Sequence, residues 1–339
     1  MYLSSTFLFA ALVSAAAVPK PYFEWEDTKY FIAFGDSYTF VQGTKGLYNF
    51  SFIGDYLPED FNFAPETLLT DKIAQNFTGT AEGGPNWVEF LTGCALEPGY
   101  TLPRDCKVQL WDFAFAGADV SEEFTALHHN FTIPLVNQTQ QYLTWAEPVL
   151  SKIIDKSKSI VAIWIGINDI GDTSKFNVSF PAFYDEIIGT MFTESVAPLY
   201  KAGYNNFMFV NLPPLDRTPG NVASATPLPN KTMIDWWDAS LEAHSKAFAA
   251  KNAGAKTMLY DANAFLNSVL DDPTAYNITN STGYCASYSN LDVLYHPELY
   301  GCLPLDEYFW YNTGHMTSHT HKSLAPHMEA FLREQSTSA

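Results

Sequence analysis

The chain has 339 residues, with 18 basic and 37 acidic side chains and a formal net charge of −19. Hydrophobic residues make up 47% of it and charged residues only 16%, which excludes an intrinsically disordered chain and allows a large core. The acidic balance argues against nucleic acid and anionic membrane surfaces as partners, because both would repel it.

The first 17 residues have the pattern of a signal peptide. An apolar segment, residues 7–13, is followed by Ala15 and Ala17, which fit the small-x-small cleavage pattern. This segment is too short to span a bilayer, and no later run reaches the ~18 continuous apolar residues that a membrane helix needs. We therefore expect a secreted, extracellular protein whose residues 18–339 form a single domain.

Two further features fit export. Eight Asn-x-Ser/Thr sequons predict N-glycans at exposed positions: Asn49, Asn76, Asn130, Asn137, Asn177, Asn230, Asn277 and Asn280. The four cysteines fall as two local pairs, and the simplest pairing in an oxidising compartment is Cys94 with Cys106 and Cys285 with Cys302. Three pairings are possible in principle, and a zinc site is the rival reading, although neither pair has Cys-x-x-Cys spacing.

In chain order, apolar runs that predict strands alternate with segments of helical spacing. Strands are expected at residues 30–34, 108–114, 159–165, 206–211 and 256–260, and helices at 135–156, 180–202, 231–252 and 316–332. Residues 40–86 show no sustained period, and their aromatic residues either line a substrate cleft or pack on their own loop. The alternation predicts an α/β fold with a parallel sheet, helices on both faces and all strand carboxyl ends at one edge.

Groups suited to acyl transfer follow three of these strands and precede the last helix. The first strand ends at Ser37, the second at Gly117 and the third at Asn168, and His315 lies just before the last helix. Acyl transfer through serine needs a hydroxyl, a base, a group that orients the base, and donors aimed at the oxyanion. A glycine N–H and an asparagine amide supply such donors.

The set of Gly35-Asp36-Ser37, Gly117, Gly166-x-Asn168-Asp169 and His315 resembles the four blocks of the GDSL, or SGNH, hydrolase superfamily, in the same order. The resemblance implies a flavodoxin-like three-layer α/β/α sandwich and an ester-cleaving serine. It also implies that Ser37 is the nucleophile, that His315 is the base, and that the backbone N–H of Ser37 forms the oxyanion hole with Gly117 and Asn168. Asp36 and Asp169 would be structural.

One position departs from the family pattern. The family usually has aspartate three residues before the histidine, and this chain has Asn312. A neutral amide orients an imidazole but does not stabilise imidazolium with a full charge. Three groups can orient His315: the Asn312 carbonyl, a backbone carbonyl, or a displaced acid such as Asp306. We expect a Ser–His pair oriented by Asn312 or by the main chain.

Two other kinds of site are weighed against this one. His315, His319 and His321 cluster in the sequence, but no glutamate follows His315 and no third ligand is evident, so we expect no metal and no cofactor. The α/β-hydrolase fold requires a Gly-x-Ser-x-Gly elbow, and the chain contains no such pentapeptide.

Within the superfamily, the chain resembles the fungal carbohydrate acetylesterases of carbohydrate esterase family sixteen. The resemblance rests on residues 34–39, 115–119, 164–169 and 309–312 together. It implies exo-acting removal of acetyl groups from hemicellulose-derived mono- or oligosaccharides. One alternative is a secreted lipase or lysophospholipase of the same superfamily. Another is a non-catalytic carbohydrate-binding protein, in which Asn312 marks a decayed site.

Overall fold

The computed structural model describes residues 22–53 and 65–337. The predicted signal peptide and three aromatic residues of the 40–86 region, Tyr56, Phe61 and Phe63, lie outside the described residues. Within those residues, no helix combines the length and the apolar run that a bilayer span requires.

The described strands form a central sheet and a separate antiparallel pair. They are β1 (Tyr30–Gly35), β2 (Ile73–Gln75), β3 (Gly99–Thr101), β4 (Gln109–Asp112), β5 (Ser159–Trp164), β6 (Asn206–Val210) and β7 (Lys256–Tyr260). The central sheet has five parallel strands in the order β4-β1-β5-β6-β7, and β2 pairs antiparallel with β3. The predicted parallel α/β sheet is therefore confirmed.

Both faces of the sheet are covered. Every residue of β5 and β6 is buried, as are the last five of β1, although successive side chains point to opposite faces. Such continuous burial is typical of a parallel sheet between two helical layers.

The described helices are α1 (Trp87–Thr92), α2 (Leu135–Gln141), α3 (Glu147–Leu150), α4 (Ile167–Asp172), α5 (Phe180–Thr190), α6 (Ala197–Lys201), α7 (Pro219–Val222), α8 (Lys231–Lys251), α9 (Ala262–Asp271) and α10 (Ser318–Glu334).

The helices fall into two packed groups. Helix α1 packs against α10, whereas α5 packs against α8 and α2 contacts the segment that follows α5. Two predicted helices are interrupted by a wider π-type turn, Tyr142–Ala146 before α3 and Met191–Val196 before α6. Each turn precedes a proline, Pro148 or Pro198, which lacks the N–H that a regular α-helix would use there.

The strand order places a ligand crevice between β1 and β5. When only the five strands of the central sheet are numbered in chain order, their order across the sheet is 2-1-3-4-5, which is the flavodoxin-like arrangement. In this arrangement the topological switch point lies between the first and third strands, here β1 and β5. Ligands bind outside the carboxyl ends of the strands at such a point. Ser37 follows β1 and Asn168 follows β5, so the two predicted site residues flank this crevice.

Both predicted disulfides form. Cys94 is bonded to Cys106 and Cys285 to Cys302, which removes the zinc reading of these cysteines. The second bridge belongs to a small cluster with Val293 and Tyr308, separate from the main core.

The predicted exposure of the sequons is only partly correct. Six of the eight asparagines are exposed, but Asn137 and Asn280 are half-buried. Asn137 lies in α2, where the next two residues of its sequon, Gln138 and Thr139, face the interior and are fully buried.

Candidate active site

Ser37 lies in a single helical turn that follows β1. The Asp36 carbonyl accepts hydrogen bonds from the N–H groups of Thr39 and Phe40, and the Asp36 side chain accepts one from Tyr38 N–H at 2.9 Å. Asp36 therefore caps the turn, and the Ser37 N–H at its start donates to no acceptor within residues 22–53 and 65–337. The side chain of Ser37 is nearly buried, with its hydroxyl directed at a histidine.

That histidine is His315, and its Nε2 lies 2.8 Å from Ser37 Oγ. It is presented by a tight loop between Trp310 and Met316, which form an antiparallel bridge. Tyr38 supports the same loop: its hydroxyl donates to the Gly314 carbonyl at 2.5 Å and its ring packs against the imidazole. Burial lowers the pKa of His315 to about 4, so the ring is a neutral acceptor over most of the pH range.

Asn312 contacts the other nitrogen of the ring. Its Oδ1 lies 3.1 Å from His315 Nδ1, and the same oxygen accepts hydrogen bonds from the backbone N–H groups of Gly314 at 2.9 Å and His315 at 2.8 Å. The amide therefore fixes both the loop and the imidazole, and the Nε2 lone pair is left facing Ser37. Asp306 lines a different cleft, with Ser318 and His319, and makes no contact with the ring.

The two predicted oxyanion donors lie on strands adjacent to Ser37. Gly117 follows β4 and Asn168 is the second residue of α4, so with Ser37 they stand at the ends of three neighbouring strands. The Asn168 amide donates to the Ala118 carbonyl at 2.8 Å, which ties the two loops together and leaves its second N–H free for another acceptor. Gly117 has a φ of +83°, and its N–H has no acceptor in the described part of the chain.

Two aspartates hold these loops from beneath. Asp169 is fully buried and accepts a hydrogen bond from Val120 N–H at 2.9 Å, joining α4 to the loop after β4. Burial raises the pKa of Asp36 and of Asp169 to about 7 in each case. Neither carboxylate contacts Ser37 or His315, in keeping with the structural role that the resemblance implies.

A cleft of about 350 Å³ opens at Ser37 and His315. Its far wall comes from the segment between β6 and α8, with Leu215, Thr218, Asn221 and Leu228. No sequence pattern indicated these residues, and only the prolines of this segment marked it as a loop. Among the aromatic residues of the 40–86 region that are described, Phe40 and Phe52 are buried in the protein and none lines this cleft.

The three clustered histidines contact three different partners. His315 faces Ser37, His319 Nε2 lies 2.7 Å from the Tyr276 carbonyl, and His321 Nδ1 accepts from Trp87 N–H at 3.2 Å. Burial lowers the pKa of His321 to about 3, so this imidazole is a neutral core group beneath the site.

The chain is similar to one protein family and to several known proteins. The chain matches the family model of GDSL-like lipase/acylhydrolases over residues 31–327. It is 27% identical to an acetylesterase of Thermothelomyces thermophilus over 301 residues, covering 84% of this chain and 87% of that protein. An acetylesterase of Hypocrea jecorina is 25% identical over 348 aligned positions, with 91% and 89% covered. GDSL esterase/lipase 4 of Arabidopsis thaliana is 24% identical over 328 positions, with 86% and 84% covered.

The match to the family model extends from β1 to α10 and includes Ser37, Gly117, Asn168 and His315. The chain therefore belongs to the GDSL-like lipase/acylhydrolase family and is a carboxylic ester hydrolase.

Proposed function

We propose that this protein is a secreted serine esterase that removes acetyl groups from carbohydrates through an acyl-enzyme on Ser37. The observation that carries the proposal is the 2.8 Å contact between Ser37 Oγ and His315 Nε2 at the carboxyl edge of the sheet. A serine hydroxyl in hydrogen-bond contact with a neutral imidazole is the arrangement that activates a nucleophile.

In this mechanism Ser37 Oγ attacks the ester carbonyl while His315 Nε2 takes the hydroxyl proton. The negative charge that develops on the carbonyl oxygen is stabilised by the N–H groups of Ser37 and Gly117 and by the Asn168 amide. His315 then donates its proton to the departing sugar oxygen, which leaves acetate esterified to Ser37. A water molecule, deprotonated by the same imidazole, releases the acetate and restores the hydroxyl.

The choice of acetyl esters is supported by two named relatives. The proteins of Thermothelomyces thermophilus and Hypocrea jecorina are acetylesterases, and both align with most of this chain. The cleft is consistent with a small acyl group and a polar leaving group, since its far wall combines Leu215 and Leu228 with Thr218 and Asn221. We infer acetylated mono- or oligosaccharides as the substrate class.

Secretion and glycosylation are part of the same proposal. The two disulfides favour an oxidising compartment, and the exposed sequons leave room for N-glycans. Cleavage after residue 17 would release one domain of residues 18–339. Mass spectrometry of protein from the culture medium, before and after enzymatic glycan removal, tests the new N-terminus and the occupied sites.

The nucleophile is tested by Ser37→Ala. We expect kcat on p-nitrophenyl acetate to fall by about 10⁶-fold, the loss typical of removing a serine nucleophile. Ser240→Ala, which removes an exposed hydroxyl on α8 that donates to Asp185, is the matched control and should retain parental activity. Parental turnover in Ser37→Ala would overturn the mechanism. A wild-type protein that binds sugars without turnover would favour the non-catalytic alternative.

The acyl chain is tested by comparing p-nitrophenyl acetate with p-nitrophenyl octanoate. A secreted lipase or lysophospholipase is the second candidate, and the relative named GDSL esterase/lipase 4 favours it. Long acyl chains need an extended apolar trough, whereas acetyl needs only a small pocket. We expect kcat/KM to be at least tenfold higher on acetate, and a preference for octanoate would support the lipase.

A further inference from the structure

A cluster of two aspartates and one histidine lies behind the loops that carry the proposed oxyanion donors, outside the proposed catalytic machinery. It consists of Asp119, two residues after Gly117; His128, in the following loop; and Asp172, at the last turn of α4. We call these three residues the Asp119 cluster. Asp172 is far from Asp119 and His128 in the sequence, so no spacing motif indicated the three residues together.

The three side chains converge as metal ligands do. One ligand atom from each residue lies within 4.8 Å of the other two, and His128 Nε2 is 2.5 Å from Asp172 Oδ2. Tetrahedral ligands at about 2.1 Å from one ion are roughly 3.4 Å apart, so the hydrogen-bonded pair of His128 and Asp172 must separate by roughly 1 Å for an ion to enter between them. His128 and Asp172 are partly exposed, which gives a cation access from solvent.

A second observation is a buried carboxyl group without a partner: burial raises the pKa of Asp119 to about 9, which favours its protonated form. Asp119 is only 1% exposed, and neither of its carboxylate oxygens has a hydrogen-bond partner in the described part of the chain. One oxygen each of Asp36 and Asp169, both fully buried nearby, is also unpartnered among the described residues. Buried carboxylates are ordinarily paired, hydrogen-bonded or bound to a metal. The hydrogen bond to Asp172 raises the pKa of His128, and no other side chain of the Asp119 cluster can become cationic.

We propose that the Asp119 cluster binds one divalent cation of the zinc class. One imidazole nitrogen and two carboxylate oxygens suit Zn²⁺, whereas Ca²⁺ takes six to eight oxygen ligands. On binding, the proton shared between His128 and Asp172 and the proton of the Asp119 carboxyl both leave to solvent, and the Nε2 lone pair and the two carboxylates coordinate the metal. Water completes the coordination on the exposed side.

The ion would join the two loops that carry the oxyanion donors. Asp172 is on the helix that carries Asn168, and His128 packs over Gly117 so closely that a Cβ added to that glycine would lie 3.3 Å from His128 Cβ. The proposal goes beyond the esterase function, because metal binding and the stability it confers are measured without a substrate. It also differs from the sequence-based expectation that the protein binds no metal.

The test uses the full-length glycoprotein, stripped with EDTA and dialysed. Isothermal titration with ZnCl₂ and, separately, with CaCl₂ is combined with thermal unfolding at each metal concentration. We expect one equivalent of bound zinc, weak or absent calcium binding, and a rise in Tm of about 3–6 °C at zinc concentrations roughly a hundredfold above Kd.

Three variants locate the site. Asp119→Asn and His128→Gln should each weaken zinc binding by at least about tenfold, and His128→Gln changes a partly exposed residue, so folding is not at stake. His244→Gln is the matched control: it removes another His–Asp pair, His244 Nε2 to Asp185 Oδ1 at 2.9 Å, and should bind zinc as the parent does. Absence of zinc binding in the parent, equal binding in Asp119→Asn, or a preference for calcium would each overturn the proposal.

Discussion

At the scale of single residues, Asn312 is the side chain that contacts Nδ1 of His315, the proposed base. One amide oxygen accepts three hydrogen bonds, two from the backbone of its own loop and the longest, at 3.1 Å, from the imidazole. It orients the ring but adds no negative charge to stabilise imidazolium. Because burial also lowers the pKa of His315 to about 4, the neutral, proton-accepting form persists into acid. The proposed catalytic pair would therefore keep a neutral imidazole in mildly acidic media.

The first prediction concerns the acid limb of the pH profile. In the parent, kcat/KM should fall only as the pH drops through about 4, where His315 becomes protonated. Asn312→Asp places a carboxylate beside the ring, which raises the pKa of His315 and moves this limb to higher pH. Asn312→Ala removes the orienting contact and should lower kcat by about 10², the low end of what a positioned base contributes.

Asp306→Asn is the control for these variants. It removes an acid that lies near this loop in the sequence, yet the side chain lies in a separate cleft, so kcat and the pH profile should match the parent. A collapse of kcat in Asp306→Asn with full activity in Asn312→Ala would assign the orienting role to Asp306 instead.

At the scale of elements, the connection from β5 to α4 is packed too tightly to accept a side chain. Gly166 caps α4 with a φ of +114°, and a Cβ added there would lie 2.3 Å from the ring of Trp237. A residue with Cβ is strained at this φ and would push the indole or the helix aside. Helix α4 carries Asn168, so the position of this donor depends on the glycine.

We therefore predict that Gly166→Ala destabilises the fold by about 3 kcal/mol and lowers kcat by at least about tenfold. Urea unfolding and acetate-ester kinetics measure the two effects. Gly254→Ala is the matched control: its φ is +79° but nothing lies within 4 Å of the added Cβ. This variant should lower the free energy of unfolding by about 1–2 kcal/mol and leave kcat unchanged. Equal losses of kcat in the two variants would contradict the packing argument.

The elements also explain what the sequence could predict. Ser37, Gly117 and Asn168 could be assigned to one edge because each follows an apolar run, and parallel strands with right-handed crossovers bring their ends together. Helix 135–156 was predicted too long, since the periodicity continues past Leu150 although the helix does not. The cleft wall from Leu215 to Leu228 could not be predicted, because its approach to Ser37 is a tertiary contact with no local period.

At the scale of the whole molecule, buried ionisable groups make stability depend on pH in two opposing ways. Burial raises the pKa of Glu89 to about 8 and of Asp238 to about 7, so the folded state holds protons that the unfolded chain releases near pH 4. These groups make the free energy of unfolding fall as the pH rises from about 4 to 8. His315 and His321 act oppositely, because only the unfolded chain binds their protons below about pH 6.5.

Below about pH 6.5, the carboxyl groups and the histidines change the free energy of unfolding in opposite directions as the pH rises. Above about pH 6.5 the histidines are neutral in both states, so only the carboxyl groups contribute. We therefore predict that Tm falls between pH 6.5 and 8, and that Asp238→Asn reduces this fall by about 2 °C, the shift that roughly 1 kcal/mol produces in a large domain. The substitution keeps an acceptor for Leu212 N–H, which donates to Asp238 Oδ1 at 3.1 Å, and removes the titration. Glu26→Gln, which deletes an exposed charge paired with Arg333, should leave the fall unchanged. Calorimetry of the parent and the two variants at pH 6.5 and 8 measures the fall in Tm. An identical fall in all three proteins would mean that Asp238 does not titrate in this range.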